Sequence, residues 1–180
     1  MYLPSLSPGQ VLIGVSIAVP DPWAGHIQTV RRQVGDPWAD EVPPHITVIG
    51  PTAVDTTDLP AIYEHLDSVA SNFGTFGVEI HGVGSFRPVN PVVYMNIEDG
   101  ATKCAQLEQQ VRNGPLSQDL RFPYHPHITV AHEVPEDQLD RAVMKMRTFQ
   151  ARFRVSALWL YEHCDDGVWR RRKRFDLRWA

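Results

Sequence analysis

The pentapeptide Pro-His-Ile-Thr-Val occurs twice in the chain, at residues 44–48 and, 82 positions later, at residues 126–130. Each copy begins with proline and continues with β-branched residues, a pattern that predicts a short strand. The helix and strand signals that follow the first copy recur after the second at about the same spacing. We therefore interpret the 180 residues as an internal duplication of a strand–helix–strand–helix–hairpin unit.

The duplication predicts an α+β fold, bilobal and internally duplicated, with mostly antiparallel sheets lining a central cleft and helices outside. We expect residues 1–180 to form a single domain of two pseudo-symmetric lobes, approximately 1–90 and 91–180, with some strand exchange allowed. A pseudo-twofold arrangement would bring the two motif strands together. The predicted strands cover residues 11–19, 45–50, 76–82, 91–97, 127–131, 153–162 and 168–175, and the predicted helices cover about 22–34, 58–71, 101–112 and 135–147.

Composition and charge restrict the class of protein. Hydrophobic residues make up 43% and charged residues 21% of the chain, which is typical of a soluble globular protein. The formal charge of −4 argues against a domain that grips long duplex nucleic acid by phosphate neutralisation alone. A small phosphorylated ligand or an RNA end remains compatible with this charge, because a local basic patch is enough to bind it.

Location is predicted from the cysteines and the longest apolar run. Cys104 and Cys164 form no disulfide or metal-binding framework, so a reducing compartment is expected. The run at residues 11–19 is too short to span a bilayer, and no Lys or Arg precedes it. We expect a cytoplasmic protein without membrane association, and we infer no obligate protein partner.

The repeated motif carries the candidate chemistry. Alternate side chains of a strand point to the same face, so His45 and Thr47 should project together, as should His127 and Thr129. The Ile and Val residues of each copy then face the opposite, helix-covered side. This alternation is typical of a strand that lines a solvent-filled cleft. An alternative is that duplication merely copied a half-buried strand whose His and Thr satisfy each other's hydrogen bonds.

Two histidines on opposite walls of a cleft could perform acid–base chemistry at phosphorus. Histidine has an ordinary pKa near 6.5, so one imidazole can act as a neutral base while the other is a cationic acid. In-line displacement needs a proton removed from the nucleophile and another delivered to the leaving oxygen. The threonine hydroxyls could donate to the non-bridging phosphate oxygens. This scheme needs no metal and no other cofactor.

The two motifs resemble those of the 2H phosphoesterase superfamily, in particular the branch of RNA 2′,3′-cyclic phosphodiesterases, also called 2′-5′ RNA ligases. The resemblance implies a bilobal fold with a central cleft and a catalytic set of His45, Thr47, His127 and Thr129. It also implies a hydrolase of RNA processing whose substrates carry a ribose 2′,3′-cyclic phosphate or a 2′-5′ linkage. The expected partner is an RNA end, a short oligonucleotide or a cyclic nucleotide.

Two further residues are candidate substrate contacts. Members of that family commonly have an aromatic residue three positions before the second histidine, and Tyr124 matches. A basic Arg or Lys often follows the second motif's threonine by three positions, whereas this chain has His132. The positive charge of His132 would depend on pH, which leaves the identity of the substrate open.

Two other functions are alternatives for this sequence. One is a zinc hydrolase that uses the cluster of His125, His127 and His132 together with His45, but no Asp, Glu or Cys stands at a matching place. The other is a non-catalytic module that binds a nucleotide or RNA end on the same fold. Turnover of a cyclic nucleotide would distinguish the enzyme from the module.

Several residues outside the motifs have open roles. The basic run Arg170–Arg174 is interpreted either as an edge strand kept unpaired by charge or as a positive rim that attracts phosphorylated substrate. Arg31 and Arg32 are predicted on a solvated helix face. Trp38 is a candidate for stacking on a base. The other tryptophans, at positions 23, 159, 169 and 179, are expected mostly in the core or packed on strands.

Overall fold

The computed structural model describes residues 3–178, so Trp179 lies outside the described residues. Within that range the strands are β1 (Gln10–Ala18), β2 (His45–Asp55), β3 (Phe76–Ser85), β4 (Val92–Asp99), β5 (His127–His132), β6 (Gln150–Val155), β7 (Ala157–His163) and β8 (Trp169–Asp176). The helices are α1 (Trp23–Gln33), α2 (Leu59–Asn72), α3 (Ala101–Arg112) and α4 (Glu136–Met146).

The strands form two four-stranded antiparallel sheets. The first sheet has the order β2-β1-β7-β8 and the second has the order β5-β4-β3-β6. Helices α2 and α3 contact the first sheet, and α1 and α4 contact the second. The predicted α+β class with antiparallel sheets is confirmed. Each motif strand, β2 or β5, lies at one edge of its sheet, and the two motif strands contact each other.

Strands and helices are exchanged between the two halves of the chain. Strand β3 precedes residue 90 but pairs with β4 in the second sheet, while β7 and β8 return to the first sheet. Helix α1 contacts β5, and α3 contacts β2, so each motif strand packs on a helix from the other copy. Each sheet therefore takes strands from both halves, and a boundary near residue 90 falls between two neighbouring strands of one sheet.

The prediction of a single strand over residues 153–162 is wrong, because these residues belong to two different strands, β6 and β7. The chain leaves the second sheet after Val155 and enters the first at Ala157, and the carbonyl of Ser156 accepts a hydrogen bond of 2.8 Å from the Leu177 amide. Both segments have strand patterns of the same period. Period alone cannot tell which neighbour a strand pairs with, so the crossing between sheets is invisible in the pattern.

Strand β2 is longer than predicted. We expected it to end at Gly50-Pro51, but it continues to Asp55 with an irregular register between Ile49 and Thr52. Proline lacks the amide hydrogen that a central strand needs, but it is tolerated at a sheet edge. Because β2 is an edge strand, Pro51 does not end it.

Aliphatic side chains between sheets and helices form one continuous core. In the motif strands Ile46, Val48, Ile128 and Val130 are all 3% exposed or less, whereas the alternating His and Thr residues are half-buried. No helix within residues 3–178 is both long and apolar enough to cross a membrane. Cys104 is buried, and both cysteines are free thiols.

Gly84 makes room for an aromatic ring beside the second motif. Tyr94 pairs with Gly84 across β3 and β4, and a Cβ atom at position 84 would lie 2.5 Å from Cζ of Tyr94. The Tyr94 ring stacks on Phe86 with ring centroids 4.2 Å apart, and its centroid is 5.3 Å from that of His127. The absent side chain of Gly84 thus lets Tyr94 lie against the glycine and support the His127 ring.

We predict that Gly84→Ala lowers the free energy of unfolding by about 1–3 kcal/mol, because the added methyl group overlaps the Tyr94 ring. Gly77→Ala in the same strand is the matched control, since a Cβ there meets nothing within 4 Å. The control should leave stability unchanged or slightly raised. Urea denaturation of both variants measures the difference, and equal stabilities would contradict the assigned packing.

Candidate active site

A cleft of about 420 Å³ contains both motifs. His45 and Thr47 line it from β2, and His127 and Thr129 line it from β5, with His132 at the end of β5. The structure therefore brings the four predicted motif residues and His132 to one cavity. Its wall also includes residues outside the two motifs, among them Ser16, Arg31, Trp38, Phe86, Asn90, Tyr161 and Trp169.

Both motif imidazoles are anchored in the same way. Nδ1 of His45 lies 2.7 Å from the carbonyl oxygen of Pro43, and Nδ1 of His127 lies 2.7 Å from the carbonyl oxygen of His125. A carbonyl oxygen only accepts, so Nδ1 must carry the hydrogen in each ring. In the neutral rings Nε2 is therefore the unprotonated nitrogen. Each copy holds the tautomer in which Nε2 can act as a base.

The Thr47 hydroxyl is hydrogen-bonded to His45 of the same motif. The distance between Thr47 Oγ1 and His45 Nε2 is 3.1 Å. Because Nε2 of the neutral ring is an acceptor, the threonine hydroxyl donates. A proton on Nε2 would reverse that role and release the hydroxyl hydrogen toward another acceptor. The orientation of Thr47 is thus coupled to the protonation of His45.

Burial lowers the pKa of all three cleft histidines. For His45 burial is the main cause, and the nearby Arg31 charge lowers its pKa further. The pKa of His127 falls to about 4 through burial, with smaller effects from the charges of His125 and His45. Burial also lowers the pKa of His132. All three rings are neutral at pH 7, and a proton on His45 disfavours a second on His127.

Tyr124 connects the two motifs. Its hydroxyl donates a hydrogen bond of 2.8 Å to the backbone carbonyl of Thr47, and burial raises the pKa of this phenol. Tyr124 was predicted as a substrate contact, but its side chain packs against the core and is not part of the cleft wall. The structure gives it the role of tying the segment before β5 to β2.

The comparison with known proteins agrees with this architecture. A family model described as the 2′-5′ RNA ligase superfamily matches residues 19–167. The chain belongs to the 2′-5′ RNA ligase superfamily. It is thereby a phosphoesterase of the 2H type, which confirms the resemblance carried by the two motifs.

Two bacterial relatives match most of the chain at similar identity. A protein of Bacillus mycoides (strain KBAB4), provisionally named phosphoesterase, is 28% identical over 150 residues, which cover 81% of this chain and 86% of the relative. A similarly named protein of Bacillus cereus (strain AH820) is 29% identical over the same length and coverage. Both relatives span most of the chain, including the two motifs.

Solved structures of other proteins share the fold. Escherichia coli LigT in complex with 3′-AMP superposes with a TM-score of 0.69 at 17% identity, covering 93% of this chain and 98% of LigT. Thermus thermophilus TT0787 gives a TM-score of 0.62 at 18% identity, covering 94% and 99% of the two chains. At these identities the likeness concerns the arrangement of sheets and helices.

Arg31 is a cleft residue that the sequence did not reveal. It was predicted on a solvated helix face, but only 4% of its side chain is exposed, and it lines the cleft. Its Nε donates to Asp36 at 2.9 Å, and its Nη1 donates to the carbonyl of Val42. The prediction was wrong because helix α1 packs against β5, a contact that the local pattern does not reveal.

The described part of the cleft wall contains this cation and no carboxylate. Among residues 3–178 the lining side chains include neither Asp nor Glu, although the chain as a whole has a net charge of −4. Asp36 neutralises Arg31 from the protein side, away from that wall. A phosphate in this cleft would therefore meet the Arg31 guanidinium and neutral imidazoles along the described lining.

Trp38 and His132 are joined through one carboxylate. Nε1 of Trp38 donates to Oε2 of Glu133 at 2.8 Å, and Nε2 of His132 lies 3.7 Å from the other Glu133 oxygen. Both Trp38 and His132 line the cleft. The indole edge of Trp38 is thus fixed, which orients its ring beside the end of the second motif.

The structure does not support the alternative zinc cluster of His125, His127 and His132. Within residues 3–178 no group of three or more His, Cys, Asp or Glu side chains is placed to hold a metal ion. The ring of His125 is 5.9 Å from that of His127, and the His125 side chain is exposed. His125 contributes its backbone carbonyl to the anchoring of His127.

We predict that Arg31→Met lowers the free energy of unfolding by about 3–5 kcal/mol, because it leaves the buried Asp36 carboxylate without its cation. Arg32→Met is the matched control, since Arg32 pairs with Asp40 at the surface, where both side chains are more than half exposed. Its effect should stay within about 1 kcal/mol. Urea denaturation at pH 7 compares the two, and similar losses would contradict a buried pair.

We also predict that acid destabilises the protein through His127. Its pKa is near 6.5 in the unfolded chain and about 4 in the fold, so only the unfolded state gains a proton between these values. This contribution is complete above pH 6.5 and is lost as the pH falls toward 4. Between pH 7 and pH 5 the loss from this group should be about 1–2 kcal/mol.

His127→Asn should remove that part of the acid loss, while His26→Asn, at an exposed histidine outside the cleft, should keep it. The measurement is the free energy of unfolding of each variant at pH 7 and at pH 5. An unchanged pH dependence in His127→Asn would show that the imidazole is not held neutral by the fold.

Proposed function

We propose that this phosphoesterase hydrolyses phosphodiester bonds of a ribose 2′-hydroxyl, either 2′,3′-cyclic phosphates or 2′-5′ linkages, at the ends of RNA or in nucleotides. The observation that carries the proposal is the matched pair of histidines. His45 and His127 line one cleft, and each is held through Nδ1 so that Nε2 is free to transfer a proton. A copied strand alone would not need the same tautomer in both rings.

The two imidazoles act as base and acid in turn. One neutral Nε2 removes a proton from water as its oxygen forms a bond to phosphorus. The other ring carries its own proton on Nε2. It donates this Nε2 proton to the ribose oxygen as the bond from phosphorus to that oxygen breaks. The product is a phosphate monoester on the ribose. Either histidine can hold either role, since the side of the leaving oxygen decides it.

The negative charge of a bound phosphate favours the uptake of one proton from solvent by the histidine pair. Both rings are neutral at pH 7 because burial lowers their pKa values. An anionic phosphate within a few ångströms stabilises the imidazolium form and raises the pKa again. The mutual repulsion between His45 and His127 then restricts the gain to one proton. The bound state thereby acquires one acid and one base.

The threonines and cations hold the phosphate. When His45 is protonated, Thr47 no longer donates to Nε2, and its hydroxyl hydrogen is available to a non-bridging oxygen. Thr129 occupies the corresponding position in the second copy. Arg31 adds a permanent positive charge to the cleft wall, which also contains His132. Charge that develops on the phosphoryl oxygens is thus met from both walls.

The kind of substrate is inferred from the superfamily. Its description names 2′-5′ RNA ligases, and E. coli LigT has been crystallised with 3′-AMP and with NADP+. Both of those ligands are nucleotides. Together with the phosphate chemistry of the histidine pair, they support a nucleotide or an RNA end as the substrate of this chain.

We predict that His45→Asn and His127→Asn each lower kcat by roughly 10²- to 10⁴-fold, because each removes one proton-transfer step. The assay incubates the protein with 2′,3′-cyclic nucleotides and with 2′-5′ dinucleotides and follows products by phosphorus NMR, which also shows which oxygen keeps the phosphate. His81→Asn is the control, since His81 pairs with Glu98 on the surface and is not part of the cleft wall.

Chelator and binding controls separate the alternatives. Activity should be the same in excess EDTA, and its loss there would favour a metal enzyme. Near wild-type turnover in both histidine variants would end the acid–base proposal. A cyclic nucleotide that binds tightly but is recovered unchanged from the wild-type protein would instead identify a binding module.

A further inference from the structure

The basic run Arg170–Arg174 divides between the two faces of strand β8. On the side of helix α2, Arg170 is paired with Asp166, Arg172 with Glu162 at 2.9 Å, and Lys173 with Asp67 at 2.7 Å. These three cations are neutralised within the protein. They fit the interpretation of a charged edge strand, since β8 is the last strand of the first sheet.

Arg171 lies on the opposite side and has no acidic partner among residues 3–178. Its guanidinium carbon is 4.5 Å from the ring centroid of Trp159, and its Nε donates to the Tyr161 hydroxyl at 3.1 Å. Arg174 lies over the same indole at 5.6 Å and is also paired with Asp176. A guanidinium stacked on an aromatic face keeps its remaining N–H edges directed outward.

A bulge places both arginines over one tryptophan. Residues three apart would point to opposite faces of a regular strand. The pairing of β7 with β8 shifts register between Leu160 and Tyr161, opposite Lys173 and Arg171. The extra residue lets Arg174 return to the face that Arg171 occupies. The sequence alone shows an unbroken basic run and hides this separation.

The surface around Arg171 is continuous with the cleft. Tyr161 pairs with Arg171 across the two strands, and Tyr161 itself lines the cleft with Trp169. Trp169 packs beside Gly14, where a Cβ would lie 3.5 Å from its ring. We name this face the β8 platform and define it as Trp159, Tyr161, Trp169, Arg171 and Arg174. It extends from the cleft across two strands, about 10 Å at the usual strand spacing.

We propose that the β8 platform binds the one or two nucleotides that lie 5′ of the reacting end of a single-stranded RNA. This inference rests on the proposed function, because the reacting phosphate is taken to sit between His45 and His127. Aromatic rings provide stacking surfaces for bases of any sequence, and an exposed arginine beside them contacts the phosphate backbone. The preferred substrate is then an oligonucleotide end rather than a cyclic mononucleotide.

The local charge supports RNA as the occupant. The chain has a net charge of −4, yet Arg171 in the β8 platform has no acidic partner among residues 3–178, whereas Arg174 is paired with Asp176. The platform continues into a cleft whose described lining residues include no carboxylate. A polyanion with unstacked bases matches both the cationic and the aromatic components of this face. An acidic protein segment would use the arginines but would not use the partly exposed indoles of Trp159 and Trp169.

The test compares Arg171→Gln with Arg172→Gln, two neighbours on opposite faces of the same strand. The probe is a heptauridylate with 5′-fluorescein and a 3′-phosphate, and binding is followed by fluorescence anisotropy across a salt series. We expect Arg171→Gln to weaken binding about five- to tenfold and to reduce the slope of log K against log salt by about 0.7. Arg172→Gln should stay within twofold of the wild type.

A length series completes the experiment. Wild-type affinity should rise from uridine 3′-phosphate to the trinucleotide, and Arg171→Gln should lose most of that rise. Equal effects of the two substitutions, or a wild-type affinity independent of length, would overturn the β8 platform. Failure of the proposed function is seen separately, as the absence of turnover of every cyclic phosphate by the wild type. The contrast in binding between the two variants remains decisive in that case.

Discussion

The hydrogen bond from Nδ1 to a backbone carbonyl two residues earlier is the interaction on which the site depends. It fixes the ring plane and the tautomer of His45 and of His127, and it does so from the same strand that positions each ring. Both anchoring carbonyls belong to the segment that enters the motif strand. A change in the path of that segment would therefore redirect the imidazole as well as the backbone.

Burial gives this anchoring its chemical effect. A histidine held in the same geometry at the surface would be partly protonated near neutral pH. In the cleft, desolvation keeps both rings neutral, and Arg31 adds to this effect on His45. The ion pair of Arg31 with Asp36 keeps that arginine in place beneath the cleft. Packing, tautomer and charge thus act together on the same two nitrogens.

Much of the fold and the core of the candidate site could be predicted from the repeated pentapeptide. Its strand period separates His and Thr from Ile and Val, and the burial of Ile46 and Ile128 follows that alternation. Antiparallel sheets and four helices within the described residues also match the expectation. These features are local, or they follow from a period that the sequence displays directly.

The features that could not be predicted depend on contacts between distant segments. Arg31 is buried because α1 packs on β5, and Tyr124 leaves the cleft wall because its hydroxyl reaches the backbone of Thr47. The crossing at Ser156 and the bulge near Arg171 depend on which strands pair, and a single sequence carries no signal for that choice. The chemical groups of the site are thus easier to predict from the sequence than the contacts that hold them in place.

The exchange of helices between the two copies affects how the cleft can accommodate a ligand. Because α1 covers β5 and α3 covers β2, the two walls cannot swing apart without pulling aliphatic side chains out of the shared interior. Within the described residues, this shared core opposes a hinge motion between the two walls. The distance between the two imidazoles is therefore set when the chain folds. A phosphorus centre must fit this distance, because the walls do not close around it.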